Sequence, residues 1–180
     1  MRIKPVLGVV LGLTAIFGVA SPVFAQESAG DVALGYSILH DSDAEQTFPM
    51  GWLFAGGVNL GSNVAVLGEV GGNYKTVDVL GTDVNLRVHS FLGGVRFHNR
   101  RPKAMPFGQV LVGLAHMGAS VLGEGDSANG FAIQPGGGVD IPLTPSLGAR
   151  LQGDYRMIRS DGETANEFRF GFGLVFAFRK

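Results

Sequence analysis

Across residues 165–178 every second position is apolar and mostly aromatic: Phe168, Phe170, Phe172, Leu174, Phe176 and Phe178. Between them stand Glu167, Arg169, Gly171, Gly173, Val175 and Ala177, charged at one end and small at the other. A period of two puts successive side chains on opposite faces of a strand. A row of phenylalanines is too apolar to face water, whereas charges and glycines suit a narrow polar interior. The pattern predicts a strand of a transmembrane β-barrel, aromatic side to lipid and polar side to the lumen.

Seven earlier segments alternate in the same way, separated by turn residues. Segment 31–40 places Val32, Leu34, Tyr36 and Ile38 on one face. Segment 51–60 sets Trp52, Phe54 and Val58 outward against Gly51, Ala55, Gly57 and Asn59, and 64–75 opposes Val66, Val70 and Tyr74 to Glu69, Asn73 and Lys75. Segment 85–97 carries Arg87 and His89 on its polar face. Its alternation slips at Gly93-Gly94, where a β-bulge would turn Arg96 inward as well. Segment 107–117 alternates weakly. Segment 131–141 sets Phe131, Ile133, Val139 and Ile141 against Gln134 and Asp140, and 147–158 sets Leu147, Ala149, Leu151, Tyr155 and Met157 against Arg150, Gln152, Asp154 and Arg156. The expected fold is all-β: an eight-stranded antiparallel up-and-down transmembrane β-barrel, even-numbered as a closed bacterial barrel is.

The last hairpin fixes a register. Asp161-Gly162 is a favoured two-residue turn and would pair Ser160 with Glu163. Continuing from there puts Arg156 opposite Glu167 and Asp154 opposite Arg169, with Tyr155 opposite Phe168 and Leu151 opposite Phe172 on the other face. A slip of one residue would destroy every one of these pairs.

Composition agrees with export to a membrane. Arg2 and Lys4, the apolar run 6–20 and Val23-Phe24-Ala25 have the form of a cleavable signal peptide, so 1–25 is expected to be removed near Ala25, leaving 26–180 as one barrel domain. Without Arg2 and Lys4 the chain holds 12 basic and 15 acidic residues, which gives no basis for nucleic-acid binding. Only 16% of residues are charged, well below the ~25% of soluble domains, yet after residue 25 no apolar run approaches the ~20 residues of a membrane helix. There is no cysteine, hence no disulfide or thiolate metal site. A secreted soluble barrel would also alternate, but its narrow interior would be overfilled by the bulky residues of 165–178, while small residues here share a face with the charges.

Together the signal peptide, the eight strands and the aromatic last strand resemble the small outer-membrane β-barrel proteins of Gram-negative bacteria, of the OmpA transmembrane-domain and OmpX type. The C-terminal assembly signal of that family, polar-x-Gly-x-x-apolar-x-apolar, matches Arg169, Gly171, Leu174 and Phe176; Arg179-Lys180 follow where members commonly end on the aromatic. The resemblance implies a cell outer-membrane location and insertion by the outer-membrane assembly machinery. It does not supply an activity.

Chemistry is sparse. The candidate lumen charges are Glu69, Lys75, Arg87, His89, Arg96, Asp140, Arg150, Asp154, Arg156, Glu167 and Arg169, expected either to fill the barrel as paired ions or to line a narrow pore. The residues expected to face lipid are Trp52, Phe54, Tyr155, Phe168, Phe170, Phe172, Leu174, Phe176 and Phe178. Lipid A-modifying enzymes of this barrel size imply a His-x-Ser pair at the outer rim; here His89-Ser90 are adjacent and so point to opposite faces, and His40, Asp41 and Ser42 are merely near in sequence. The acidic stretches 41–45, 124–126 and 161–163 are expected to be solvated outer loops, since the oxygen ligands of 124–129 lack an EF-hand pattern, and Gly136-Gly137-Gly138 lacks the Lys-Ser/Thr of a phosphate loop. Arg100, Arg101 and Lys103 suit either a solvated turn or anionic headgroups. No catalytic residue, metal or cofactor is expected. The expected partners are outer-membrane lipids and the assembly machinery, for a monomer with a structural or interactive role. A narrow porin-like pore is the alternative, ahead of a lipid-modifying enzyme or a soluble ligand-binding barrel.

Overall fold

The computed structural model describes residues 28–79, 82–101, 103–121, 124–160 and 162–179. The expected signal peptide and Asp161 lie outside them. The strands are β1 (Ser28–Asp41), β2 (Gln46–Phe48), β3 (Met50–Asn59), β4 (Val64–Val79), β5 (Thr82–His98), β6 (Met105–Val121), β7 (Glu124–Pro142), β8 (Leu147–Ser160) and β9 (Glu163–Arg179). Each pairs antiparallel with its neighbour and β9 pairs back onto β1, closing the sheet. A backbone group left unpaired in hydrocarbon costs several kcal/mol, so closure is what lets strands cross a bilayer.

β2 and β3 are one barrel strand interrupted at Pro49. Opposite β1 the register passes from Tyr36↔Trp52 to Leu39↔Phe48, so one residue is extra on the Pro49 side. This bulge turns Phe48 inward, and the Tyr36 hydroxyl donates to the Pro49 carbonyl. The bulge expected at Gly93-Gly94 is absent. β5 pairs without a shift through Gly93↔Gly68 and Gly94↔Leu67 on one side and Gly93↔Val112 on the other.

One row of partners runs Val32, Gly56, Gly68, Gly93, Val112, Ile133, Met157, Asn166, and Asn166 O accepts from the N–H of Ser42, the residue that follows β1. The row returns to β1 ten residues beyond its start. With ~3.3 Å per residue and ~4.8 Å between strands, that stagger tilts the strands by about 40°. Phe168 to Phe178 then covers roughly 25 Å along the barrel axis, the height of the apolar band that a lipid-facing barrel needs. Phe170 is 66% exposed, Phe91 60% and Phe131 52%. Such a continuous aromatic surface does not persist in water.

The β8–β9 register is the one the Asp161-Gly162 turn predicts, from Ser160↔Glu163 through Arg156↔Glu167 and Asp154↔Arg169 to Leu151↔Phe172. Gly162, the second turn residue, holds a left-handed φ of 91°, which glycine adopts without steric cost. Strands run longer than the alternation implies. Glu124–Asp126, expected in a loop, continues β7 and pairs with Ala119–Val121. These polar ends of β6 and β7 rise past the apolar band, where nothing forces alternation.

Candidate functional site

The lumen is filled by a hydrogen-bonded chain of ions. At the rim carrying Ser28 and Arg179, the ends of the described chain, Arg150 Nε and Nη2 donate to the two oxygens of Asp140, each at 2.7 Å. Arg150 and Arg96 share Asp31 Oδ1 at 3.3 and 3.2 Å, and both guanidinium groups lie over the Phe107 ring at 5.0 and 4.7 Å. Arg96 continues to Gln109 Oε1 at 3.1 Å, and Gln109 Nε2 donates to Asp154 Oδ1 at 3.2 Å. At mid-height Arg169 Nη2 bridges Asp154 Oδ2 at 2.7 Å and Glu69 Oε1 at 2.5 Å. Glu69 also accepts from Gln134 and Gln152, and Gln152 turns to Asp154 as well. Higher still, Arg156 Nε donates to Glu167 Oε2 at 2.6 Å. Arg169, Arg156, Glu69 and Glu167 are all 2% exposed or less. Charges so enclosed are tolerable only when paired, and here each carboxylate faces a guanidinium.

The interior is not polar throughout. Leu67, Leu92, Leu111, Ala115, Ala132 and Ile158 pack together inside the barrel, and Leu39, Phe48 and Val88 form a second cluster nearer the far rim. Above this a vestibule of about 360 Å³ opens at the rim remote from the chain ends, walled by Phe48, Leu86, Val88 and Met117 with Asp41 and Glu167. At the opposite rim a cavity of about 40 Å³ lies among Asp31, Arg96, His98 and Arg100. Arg100 spans that mouth, donating to Ser62 O at 2.8 Å and Ser28 Oγ at 3.2 Å. The two cavities share no wall residue, and the Arg169 network stands between them.

Of the charges expected in the lumen, Glu69, Arg96, Asp140, Arg150, Asp154, Arg156, Glu167 and Arg169 are buried inside it, and half-buried Lys75 points inward to Gln46 near the rim. Arg87 and His89 face outward, a correction that follows from the missing bulge. With β5 regular, Ser90, Leu92 and Arg96 take the inner face, and odd-numbered residues take the outer one. Asp31, Gln109 and Phe107 join the network although none stands among the charges expected in the lumen. Asp31 had a signal, standing at the opposite parity to Val32 and Leu34. Gln109 sat in the segment whose alternation was weakest.

The residues expected to face lipid lie on the outer face of the barrel. Trp52, Phe54, Phe168, Phe170, Phe172, Leu174, Phe176 and Phe178 are exposed on the outer face, and half-buried Tyr155 lies against Phe168 with ring centres 4.9 Å apart. Above this band the outer face becomes polar. Trp52 Nε1 donates to Tyr74 Oη at 3.2 Å, Tyr74 Oη meets His89 Nε2 at 3.0 Å, His89 stands directly opposite His116, and His116 Nδ1 meets Asn129 Oδ1 at 2.8 Å.

A closed antiparallel barrel with an apolar outer band and an ion-paired interior defines the class: a protein that crosses a membrane by its strands. The sequence matches the outer membrane protein beta-barrel domain over residues 11–176, and the chain belongs to that family of outer-membrane barrels. No curated protein sequence matches it. Solved structures share its fold. Ail, the attachment invasion locus protein of Yersinia pestis, is 15% identical, with 84% of this chain and 100% of that one covered at a TM-score of 0.57. Neisserial surface protein A is 10% identical, with 83% and 96% covered at 0.65. The N-terminal β-barrel domain of Pseudomonas aeruginosa OprF is 18% identical, with 84% and 100% covered at 0.53.

Proposed function

We propose that this outer-membrane barrel is a non-conducting, non-enzymatic scaffold that acts through its outward rim and outer surface, in membrane integrity, adhesion or recognition. The observation that carries this is the Arg169–Glu69–Asp154 bridge across the middle of the lumen, with Arg100 across the mouth beyond it. A narrow barrel filled at mid-height by paired ions leaves no continuous water path. The rim remote from the chain ends is taken as the outer one. Fold relatives include proteins whose names speak of attachment and of the cell surface, and Ail has been crystallised with the heparin analogue sucrose octasulfate.

The test is planar-bilayer conductance of the refolded barrel. A folded but silent barrel is the expected result. The alternative is a narrow pore, favoured by the vestibule that opens at one rim. Discrete current steps that change when Arg156 or Glu167 is neutralised would establish that reading and displace ours.

A further inference from the structure

We propose that Arg87, His89 and His116, on the lipid-facing surface of β5 and β6, form a docking site for the phosphorylated headgroup of an outer-leaflet lipid. The inference deepens the surface role proposed above and shares its assignment of the outer rim.

Height is the first argument. From the registers and a ~40° tilt, His89, His116, Tyr74 and Arg87 fall within about 6 Å of one level, and His89 and His116 each stand two residues above an apolar outward side chain of their own strand, Phe91 and Leu114. That is where hydrocarbon gives way to phosphate. Geometry is the second. His89 and His116 are cross-strand partners, and Arg87 stands two residues above His89 on the same face, opposite Gly118. A Cβ at position 118 would lie only 2.8 Å from Arg87 Nε, so the glycine gives the guanidinium its resting place against the sheet.

Charge is the third. Among the described residues Arg87 has no ion-pair partner, whereas each of the four lumen arginines contacts a carboxylate. Across the strands from Arg87 the partners are Tyr74 on one side and Gly118 then Ser127 on the other, all uncharged, while the outward acids Asp78 and Asp83 stand four residues nearer the tips than Tyr74 and Arg87, and Asp126 lines the vestibule on the inner face. A guanidinium with no ion-pair partner, flanked by two imidazoles and the Tyr74 hydroxyl that can hydrogen-bond to oxygen, matches a phosphomonoester whose acyl chains lie along the apolar band below.

Trp52 is the single tryptophan of the chain and reaches the site through Tyr74, so it reports occupancy directly. The experiment places the refolded chain in phosphatidylcholine nanodiscs and titrates in lipid A carrying its phosphates, or lipid A stripped of them. Trp52 emission and native mass spectrometry of bound lipid are read together. Saturable binding of the phosphorylated form alone is expected, weakened at least ten-fold by Arg87→Gln and further by adding His89→Gln and His116→Gln. These side chains are at the surface, so circular dichroism should show the variants folded. Equal binding of both lipids, or unchanged binding by the triple variant, would overturn the proposal. Displacement by millimolar inorganic phosphate would also overturn it, pointing to a soluble-anion site instead. A barrel that is electrically silent yet indifferent to lipid phosphate would lose this inference and leave the scaffold reading standing.

Discussion

Replacing Arg169 by Met tests the closed lumen most directly. Its guanidinium, 1% exposed, serves two carboxylates at once, with Nη2 at 2.5 Å from Glu69 and 2.7 Å from Asp154 and Nε at 3.2 Å from Asp154. Removing it leaves two buried anions solvated only by the amides of Gln109, Gln134 and Gln152. Breaking one buried pair from one side costs about 3–5 kcal/mol, and a cation shared by two anions belongs at the upper end. Urea titration of the refolded barrel in lipid vesicles, followed by Trp52 emission, should show that loss. Neutralising the carboxylates as well, in Arg169→Met with Glu69→Gln and Asp154→Asn, should recover most of it, because the cost lies in the unpaired charge rather than in the missing attraction. A single variant within about 1 kcal/mol of the parent would refute the reasoning, since only water around Glu69 and Asp154 could produce it. The filled barrel would then have to be abandoned for a wet one.

Phe172→Arg puts a charge near the middle of the apolar band and should cost about 2–4 kcal/mol of stability in vesicles, whereas Asp126→Arg, above the membrane, should change it by less than about 0.5 kcal/mol; equal costs would contradict the lipid-facing assignment. Gly173→Ala should lower the yield of folded barrel on an unheated gel, because its Cβ would lie 2.2 Å from Leu34 O where β9 closes on β1, a clash beyond the ~1–3 kcal/mol of ordinary overpacking. Gly68→Ala, facing outward with its nearest neighbour 3.8 Å away, should fold like the parent, and a common defect in both would show that the inner crowding is not what matters.

Much of this barrel is legible along the chain because lipid and lumen demand opposite chemistries at adjacent positions. The β8–β9 hairpin shows how far that goes, since one turn dipeptide sets both ion pairs and aromatic pairs in register. Parity alone carries no height, however. Arg87 and His89 are polar, and placing them inside required a bulge at Gly93-Gly94; they instead face outward above the apolar band, where a polar side chain is no anomaly. The actual bulge, at Pro49, falls where the chain has no run of alternation to break. The inner leucines are hidden for a related reason. Leu67, Leu92 and Leu111 resemble lipid-facing residues by composition, and only their neighbours' parity places them indoors.

The pairing of β1 with β9 sets the two ends of the described chain side by side, Ser28 against Arg179, across about 150 residues of sequence. Every other strand pairing joins neighbours in the sequence. This seam therefore supplies the longest-range contacts and is expected to close late in folding, since loop closure must precede any reward from joining distant strands. Before the seam forms, two bare strand edges have nothing to bond in the bilayer; afterwards the ring has no first strand and no last. A chain reopened at one of the outer tips, with Ser28 and Arg179 joined across the other rim, would trace the same barrel in a different order.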